Sequence, residues 1–349
     1  KIRILNANGT PYTPSANPTE LALYSPVSRS MVDERCGTTG ADAYYDGGSS
    51  QCSHRFLNGA MDSVYERCLQ AVDCQMSSQM SVVSHDSYGT DHIATFAHQM
   101  IPHHANAVNM AKLLLQTDPA GVAGVEDLEG ILYNIINVQN FQIHQFRNYI
   151  TSARLSLPTA CASTSGSTTV PSTTYAPTVG ASVAGCTNSA NNFCMTLDMF
   201  ASETGYYKIA GYNGPSPELT VRIGQTYTFD QTDASNWYHP VGFAYQPDGA
   251  HGSTWGGAEL PEVEGAGELQ YKINGANPTC ADAGDTGLDC YEPEFFFPRG
   301  EWTTKQYKAE LTITPAVAAA SHGGVIYCFC HIHSRMSGKI RILNANGTP

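Results

Sequence analysis

The chain has 349 residues and a net charge of −13, with 18 lysines and arginines against 31 aspartates and glutamates. It has no basic run that could bind a phosphate backbone, so its charge argues against a nucleic-acid partner. No apolar stretch approaches the roughly 20 residues that a membrane-spanning helix needs. The length allows two ordinary domains.

The first 52 residues predict an irregular arm rich in proline, glycine and serine. Asn8, in the sequence NGT, is a glycosylation acceptor if the source is eukaryotic. Residues 53–152 place apolar side chains at helical spacing and predict a bundle of long helices. Residues 153–185 follow as a Ser/Thr/Pro linker, which cannot bury enough apolar surface to fold alone and is typical of O-glycosylated segments.

From residue 186 to residue 343 the apolar period changes to two. The stretch ELTVRIGQTYTFDQ alternates apolar and polar residues, and PVGFAYQ, AELTITP and GVIYCFC resemble further short strands. This part predicts an all-β domain of the sandwich or small-barrel kind. The predicted fold class is therefore a multidomain α and β protein, with a helical bundle followed by a β-sandwich.

The eleven cysteines predict disulfide bonds and an extracellular or cell-surface location. Their odd number leaves one thiol over. That thiol is either free, or paired with another molecule, or bound to a metal ion as a thiolate.

Two stretches of the β-domain resemble a cupredoxin. TYTFDQTDASNWYHPVGF is similar to the family's opening half, and CHIHSRMSGKI matches the short ligand loop typified by amicyanin, Cys-x-x-His-x-x-Met-x-Gly-Lys-[Val/Ile]. The resemblance covers roughly residues 195–343. It implies a copper site with His239 as the first ligand, Cys330 and His333 from the loop, and Met336 as the long axial ligand. A thiolate, two imidazoles and a thioether are also the soft set that favours copper.

A second register of the loop is open. Cys328, His331 and Met336 have the spacing of the plastocyanin-type loop. We favour Cys330, because its distance from Gly324 then fits the family's penultimate strand, and Cys328 would join a disulfide. The remaining alternative is that both cysteines are bridged and the domain binds no metal.

The other histidines of the β-domain carry less information. His251 and His322 are isolated in loop sequences, and the better interpretation of both is a solvated side chain. A trinuclear copper oxidase needs several His-x-His pairs, and this chain has one. The sequence therefore does not predict an enzyme.

The helical segment FAHQMIPHHANAVNMAKLL resembles a ferritin-like family of unknown function, over about residues 53–152. Some members of that family bind copper through histidines and methionines. The residues that match the family pattern are Asp91, Phe96, Met100, Pro102, His103, His104, Met110 and Gln139. The chain departs from the pattern at Gln142, where an acid is usual, and at Phe146, where a methionine is usual.

A second metal site is therefore conceivable in the bundle. Met100 and His104 share one helix face, and His103 shares another with Met110. The alternative is that one histidine fills a packing layer while the other is solvated. The two departures from the family pattern remove candidate ligands and leave both interpretations open.

Residues 339–349 repeat residues 1–11 letter for letter. The identity predicts a tandem repeat, in which residues 344–349 begin the next unit. A duplicated strand that pairs with a neighbouring subunit would explain it as well. Both explanations make copies of the same chain the expected partner, in a head-to-tail polymer.

The predicted function is a repeat unit of an extracellular filament or surface polymer, with copper bound in a cupredoxin domain. The alternative is a soluble secreted copper protein that transfers electrons or sequesters the metal. The repeated ends favour the first prediction, because a soluble carrier has no use for them.

Overall fold

The structure is a computed structural model. It describes residues 29–47, 63–81, 92–152, 180–183, 185–249, 251, 262–263, 267–280, 286–321 and 323–348. Several predicted features lie outside the described residues: the repeated residues 1–11, with the glycosylation site at Asn8, as well as Asp91, His322 and most of the predicted linker.

The described part of the helical region contains three long helices and two short ones. They are α1 (Met31–Cys36), α2 (Val64–Ser81), α3 (His92–Thr117), α4 (Pro119–Ala123) and α5 (Leu128–Ser152). The predicted bundle is thereby confirmed, and Pro102 lies inside α3 rather than at its start. The side chain of Asp118 accepts a hydrogen bond from the backbone N–H of Gly121 and so caps α4.

Helices α3 and α5 pack along their length, and α2 packs on α3. Ala97 and Ile101 of α3 meet Ile143 and Ile150 of α5 in a small apolar core. A disulfide between Cys36 and Cys68 ties α1 to α2. The bundle is therefore stabilised by apolar side chains at helical spacing, with a covalent bond at one end.

The second part of the chain consists of strands with a few short helices. They are β1 (Ser182–Val183), β2 (Cys186–Thr187), β3 (Asn192–Asp198), β4 (Tyr206–Ile209), β5 (Leu219–Arg222), β6 (Thr226–Asp230), β7 (Val241–Ala244), β8 (Leu269–Ile273), α6 (Leu288–Glu294), α7 (Arg299–Trp302), β9 (Tyr307–Thr312), α8 (Pro315–Ala320), β10 (Val325–Cys330) and β11 (Gly338–Leu343). The predicted change from helical to β structure is confirmed.

The strands form two mixed sheets, with orders β5–β11–β10–β7 and β4–β3–β6–β9–β8, and a two-stranded β1–β2 pair. Strand β5 buries Leu219 and Val221 and exposes Thr220 and Arg222, as its period of two predicts. The rings of Phe229 on β6 and Phe243 on β7 lie 4.7 Å apart and join the two sheets. The sheets therefore face each other across one apolar core.

Strand β11 contains residues 339–343, which belong to the repeated sequence. It pairs antiparallel with β10 and parallel with β5, so it lies inside its sheet and not at an edge. Ile340 and Ile342 are buried. Residues 339–343 therefore complete this sheet within the chain.

The helical region and the β-region are in direct contact. The fully buried Lys112 of α3 donates hydrogen bonds through Nζ to the carbonyls of Met199, Ser202 and Glu203, at 2.5, 2.8 and 2.9 Å. Arg147 of α5 forms a bidentate ion pair with Glu203, at 2.8 and 2.9 Å. The loop between β3 and β4 is therefore docked on the helices. The predicted linker lies between the two regions in the sequence, but their described residues pack against each other.

Disulfides join Cys186 to Cys194 and Cys280 to Cys290, in addition to the Cys36–Cys68 bond. These bonds are compatible with the predicted secreted location. None of the helices in the described ranges has both the length and the apolarity required to cross a bilayer.

Candidate metal centre

Three potential ligands converge in the β-region. The Sγ atom of Cys330 lies 3.7 Å from Nδ1 of His239 and 3.8 Å from Nδ1 of His333. The two Nδ1 atoms are 3.2 Å apart, and all three side chains are buried. Together they form a group that could hold a metal ion.

Neighbouring strands fix the position of each ligand. Cys330 ends β10, opposite Val241 of β7, and His239 lies just before β7. The carbonyl of His239 accepts hydrogen bonds from Tyr207 Oη and Gln231 Nε2, both at 2.7 Å. The backbone N–H of His333 donates to Sγ of Cys330 at 3.3 Å. The ligand atoms are thus positioned by the folded sandwich itself.

The residue before His239 has a strained backbone. Tyr238 has φ = 71°, in the left-handed region that bulky side chains rarely adopt. Its ring packs edge-on against Trp237 at 4.8 Å, and Trp237 Nε1 donates to the carbonyl of Phe297 at 2.8 Å. Strain of this kind is concentrated at functional sites, where the surrounding packing maintains it.

Helix α5 reaches the same site through one residue. Oδ1 of Asn137 lies 3.1 Å from Nε2 of His239, and the carbonyl oxygen of Asn137 lies 3.0 Å from Nε2 of His333. Oxygen atoms accept hydrogen bonds, so both Nε2 atoms must carry the ring proton. The lone pairs of both neutral rings are then on Nδ1, facing Cys330. Such outer contacts are what normally fix the tautomer of a metal-binding histidine.

Burial keeps the three potential ligands neutral when no metal is bound. It lowers the pKa of His239 well below its ordinary value, and the neighbouring His333 lowers it further. Burial also lowers the pKa of His333 to about 4 and raises the pKa of the Cys330 thiol to about 12. The apolar core therefore contains a preformed group without net charge.

Met336 lies in the loop between β10 and β11 and is fully buried in the core that includes Cys330. Asp248 holds this loop, because both of its carboxylate oxygens accept from the backbone N–H of Arg335 at 2.8 Å. Burial raises the pKa of Asp248. Met336 therefore belongs to the same fixed loop as His333.

Cys328 and His331, the ligands of the second register, do not belong to the group of described residues that could hold a metal ion. Cys328 is a buried free thiol, and its Sγ lies 3.6 Å from the carbonyl of Gly338. The expectation that Cys328 joins a disulfide is wrong, because it faces Gly338 on the paired strand β11. The ring of His331 packs against Phe329 at 4.8 Å, and its Nε2 lies 3.6 Å from Glu262.

The interpretation of His251 as a solvated side chain is also wrong. His251 is 7% exposed, and its Nε2 lies 2.8 Å from the carbonyl of Cys330. Its ring is 4.7 Å from that of His144 on α5. The loop after β7 folds back over β10 at Gly249, where a Cβ atom would lie 2.3 Å from the Phe329 ring. This close approach buries the histidine.

Sequence reasoning missed one functional candidate, Asn137. A signal was present in α5, where polar residues recur at helical spacing on a face that is otherwise apolar: Asn137, Asn140, His144 and Asn148. Such a polar stripe indicates a helix face that contacts polar groups of another part of the chain.

The four candidate metal ligands of the helical region differ in their exposure to solvent. His104 is buried, with its ring 5.7 Å from Phe146 and 5.9 Å from His103. His103 is exposed, Met100 is half-buried and Met110 is 43% exposed. Burial lowers the pKa of His104, and the neighbouring His103 lowers it further. Metal binding at these residues stays a prediction.

Comparison with known proteins gives one match. Residues 77–182 match the model of a family described as Domain of unknown function (DUF305). No curated protein and no solved structure matches the chain significantly. The match includes α3 and α5, and therefore His103, His104 and Asn137. The chain thus combines a helical region that matches DUF305 with a β-sheet-rich region that follows it.

Proposed function

We propose that the β-region is a cupredoxin domain that binds one copper ion through His239, Cys330 and His333, with Met336 as a fourth, weaker ligand. The convergence of one sulfur and two nitrogen atoms in a buried group carries this proposal. Ligand atoms about 2.0–2.3 Å from one ion lie roughly 3.3–3.7 Å from one another in a tetrahedral arrangement. The separations of 3.2–3.8 Å between the three atoms fit that requirement.

The ligand types favour copper over other ions. Soft thiolate and thioether ligands select copper, and a trigonal His₂Cys set with a weak methionine is the set of an electron-transfer copper site. When bound, copper would supply one-electron redox chemistry between its Cu(II) and Cu(I) states. The Cys330 thiol would lose its proton on binding, whereas the two neutral imidazoles have no proton to lose.

The protein's own residues support this function by keeping the ligands in place. Asn137 and the paired strands hold the two rings and the thiol. The ligands would therefore move little when the bound ion changes its charge. Burial of His239 and His333 also keeps solvent away from the ion. A rigid, dry site of this kind suits electron transfer or the safe retention of copper.

Copper loading of the purified protein tests the proposal. We expect one Cu(II) per chain at this site, with an intense thiolate-to-copper absorption band that disappears in Cys330→Ser. Folded protein that takes up copper without such a band, or that prefers zinc and excludes copper, would contradict the proposal.

We also propose, as a second candidate function, that the chain is a repeat unit of an extracellular polymer with copies of itself as partners. The identity of residues 339–349 and 1–11 supports this candidate. Electron microscopy of native material, and of a variant that lacks residues 1–11, tests it. Polymers that depend on those residues support the candidate, whereas a strictly monomeric native particle rules it out.

A further inference from the structure

The segment that carries most of the candidate ligands is hydrogen-bonded to a neighbouring loop of the β-region. We call residues 330–337 the ligand segment, because three of the four candidate ligands belong to it. The loop that follows β7 contacts this segment through Asp248 and His251. Asp248 is fully buried and His251 is 7% exposed. The contact therefore lies in the interior of the molecule, beside the candidate metal centre.

Asp248 contacts consecutive residues of the ligand segment. Both of its carboxylate oxygens accept from the backbone N–H of Arg335 at 2.8 Å, and its own backbone N–H donates to Oγ of Ser337 at 2.6 Å. Burial raises the pKa of Asp248, whereas His251 and the backbone N–H groups of Arg335 and Met336 lower it. One buried side chain thus binds the backbone on both sides of the predicted axial ligand.

His251 contacts the other end of the ligand segment. Its Nε2 lies 2.8 Å from the carbonyl oxygen of Cys330, and its backbone N–H donates to the carbonyl of Asp248 at 2.8 Å. The loop after β7 therefore holds the ligand segment at its first residue and near its last. Residues between two fixed points have fewer accessible conformations, and His333 is one of them.

The backbone conformations at this contact also need support from their surroundings. Asp248 has φ = 64° and Arg335 has φ = 65°, both in the left-handed region. Aspartate is one of the residues that adopt this region more readily, whereas arginine is not. Such conformations persist where neighbouring groups maintain them. The hydrogen bonds from the Arg335 N–H to the buried carboxylate provide that restraint.

We propose that Asp248 is a positioning residue of the metal centre, which holds the ligand segment in its metal-binding conformation before an ion is bound. This inference rests on the proposed copper site and adds a residue that is not one of its ligands. Cu(II) by itself favours tetragonal coordination. A segment fixed by Asp248 keeps His333 and Met336 in place and so opposes relaxation of the site toward that geometry.

Three variants test the role of Asp248. Glycine adopts φ = 64° without strain, so Asp248→Gly removes the two acceptor oxygens and leaves the backbone unstrained. Asparagine also tolerates this φ, so Asp248→Asn keeps one side-chain oxygen as an acceptor. Asp33→Ala is the matched control in the helical region, because Asp33 is a buried carboxylate that accepts from the backbone N–H groups of Gly40 and Ala41 at 3.0 and 3.1 Å.

Copper affinity and the electron paramagnetic resonance spectrum are the two measurements on the copper-loaded proteins. We expect Asp248→Gly to bind copper about 10- to 100-fold more weakly, as loss of an outer contact does at other metal sites. Its parallel hyperfine splitting should increase, because the released segment lets the site become more tetragonal. Asp248→Asn should recover most of both properties. Asp33→Ala should lower the stability of the protein but keep the affinity and the spectrum.

Two results with folded variants would overturn the proposal. One is an Asp248→Gly variant with the affinity and spectrum of the wild type. The other is an equal change of both properties in Asp33→Ala, which would assign the effect to general destabilisation. A wild type that binds no copper with a thiolate band would instead contradict the proposed copper site.

Hydrogen exchange of the metal-free protein tests the role of Asp248 without copper. The Arg335 side chain is exposed, so its backbone amide would exchange quickly without a buried acceptor. We expect slow exchange of this amide in the metal-free wild type and loss of that protection in Asp248→Gly. Rapid exchange in the wild type would overturn the proposal, even if the variants do not fold.

Discussion

The side-chain oxygen of Asn137, on α5, lies 3.1 Å from Nε2 of His239, which lies just before β7. The two residues belong to different regions of the chain, yet one sets the tautomer of the other. The candidate metal centre is therefore a product of both regions. The β-sandwich supplies the ligand atoms, and the helical region fixes the orientation of two of them.

The first prediction distinguishes the two cysteines of β10. Cys330→Ser should abolish the thiolate-to-copper absorption band, because it removes the sulfur ligand. Cys328→Ser should keep the band, because Sγ of Cys328 contacts the carbonyl of Gly338 and not the histidines. Absorption spectra of copper-loaded proteins check this. The opposite behaviour of the two variants would establish the alternative register.

The second prediction concerns the contact from α5. Asn137→Ala should weaken copper binding about 10- to 100-fold, because it removes the acceptor that orients His239. Asn137→Asp keeps an oxygen at this position and should restore most of the affinity. Asn134→Ala, at an exposed position of the same helix, is the matched control. Competition with a copper chelator measures all four proteins, and equal affinities would show that the contact is dispensable.

The third prediction is a pH dependence of stability at the contact between the regions. Burial alone would raise the pKa of Glu203, but the Arg147 guanidinium outweighs it and the pKa falls to about 2. A carboxylate with a lowered pKa in the folded state stabilises the protein above its ordinary pKa of about 4.5, and that contribution is lost as the pH falls toward 2.

Arg147→Met should therefore lower the free energy of unfolding by roughly 1–2 kcal/mol at pH 7, where Glu203 is ionised. The difference from the wild type should shrink between pH 4.5 and pH 2. Urea unfolding at several pH values checks this. A constant difference across that range would assign the effect to packing and not to the ion pair.

The fourth prediction compares two glycines. A Cβ atom on Gly242 of β7 would lie 2.2 Å from Nε2 of His331 and 2.8 Å from the Phe329 ring. Gly242→Ala should therefore destabilise the protein by about 1–3 kcal/mol through overpacking. Gly130 of α5 has no atom within 4 Å of its Cβ position, so Gly130→Ala should stabilise the protein by up to about 1 kcal/mol. Thermal unfolding measures both, and equal shifts would contradict the packing argument.

Local sequence patterns predicted most of the architecture. Helices α3 and α5 follow from apolar residues at helical spacing, and β5 and β6 follow from alternation with period two. The group His239, Cys330 and His333 was predicted from the resemblance of this region to cupredoxins.

Contacts between distant parts of the chain could not be predicted in this way. His251 lies in an undistinguished loop sequence, and only the approach of Gly249 to Phe329 shows why it is buried. The number of cysteines favours a disulfide at Cys328, but its strand position directs Sγ toward Gly338. The role of Asn137 depends on the packing of α5 against the sandwich. These features require the tertiary structure, since no local period encodes them.

The cover that Asn137 forms over the two imidazoles has a consequence for the order of assembly. All three potential ligands are buried, and α5 contacts both rings, so we expect an ion to enter or leave more readily when α5 is not docked. A slow release of metal from the mature protein would therefore report the rate at which the two regions separate, and not the rate at which a single coordination bond breaks. The rate of metal exchange would then measure how often the two regions separate.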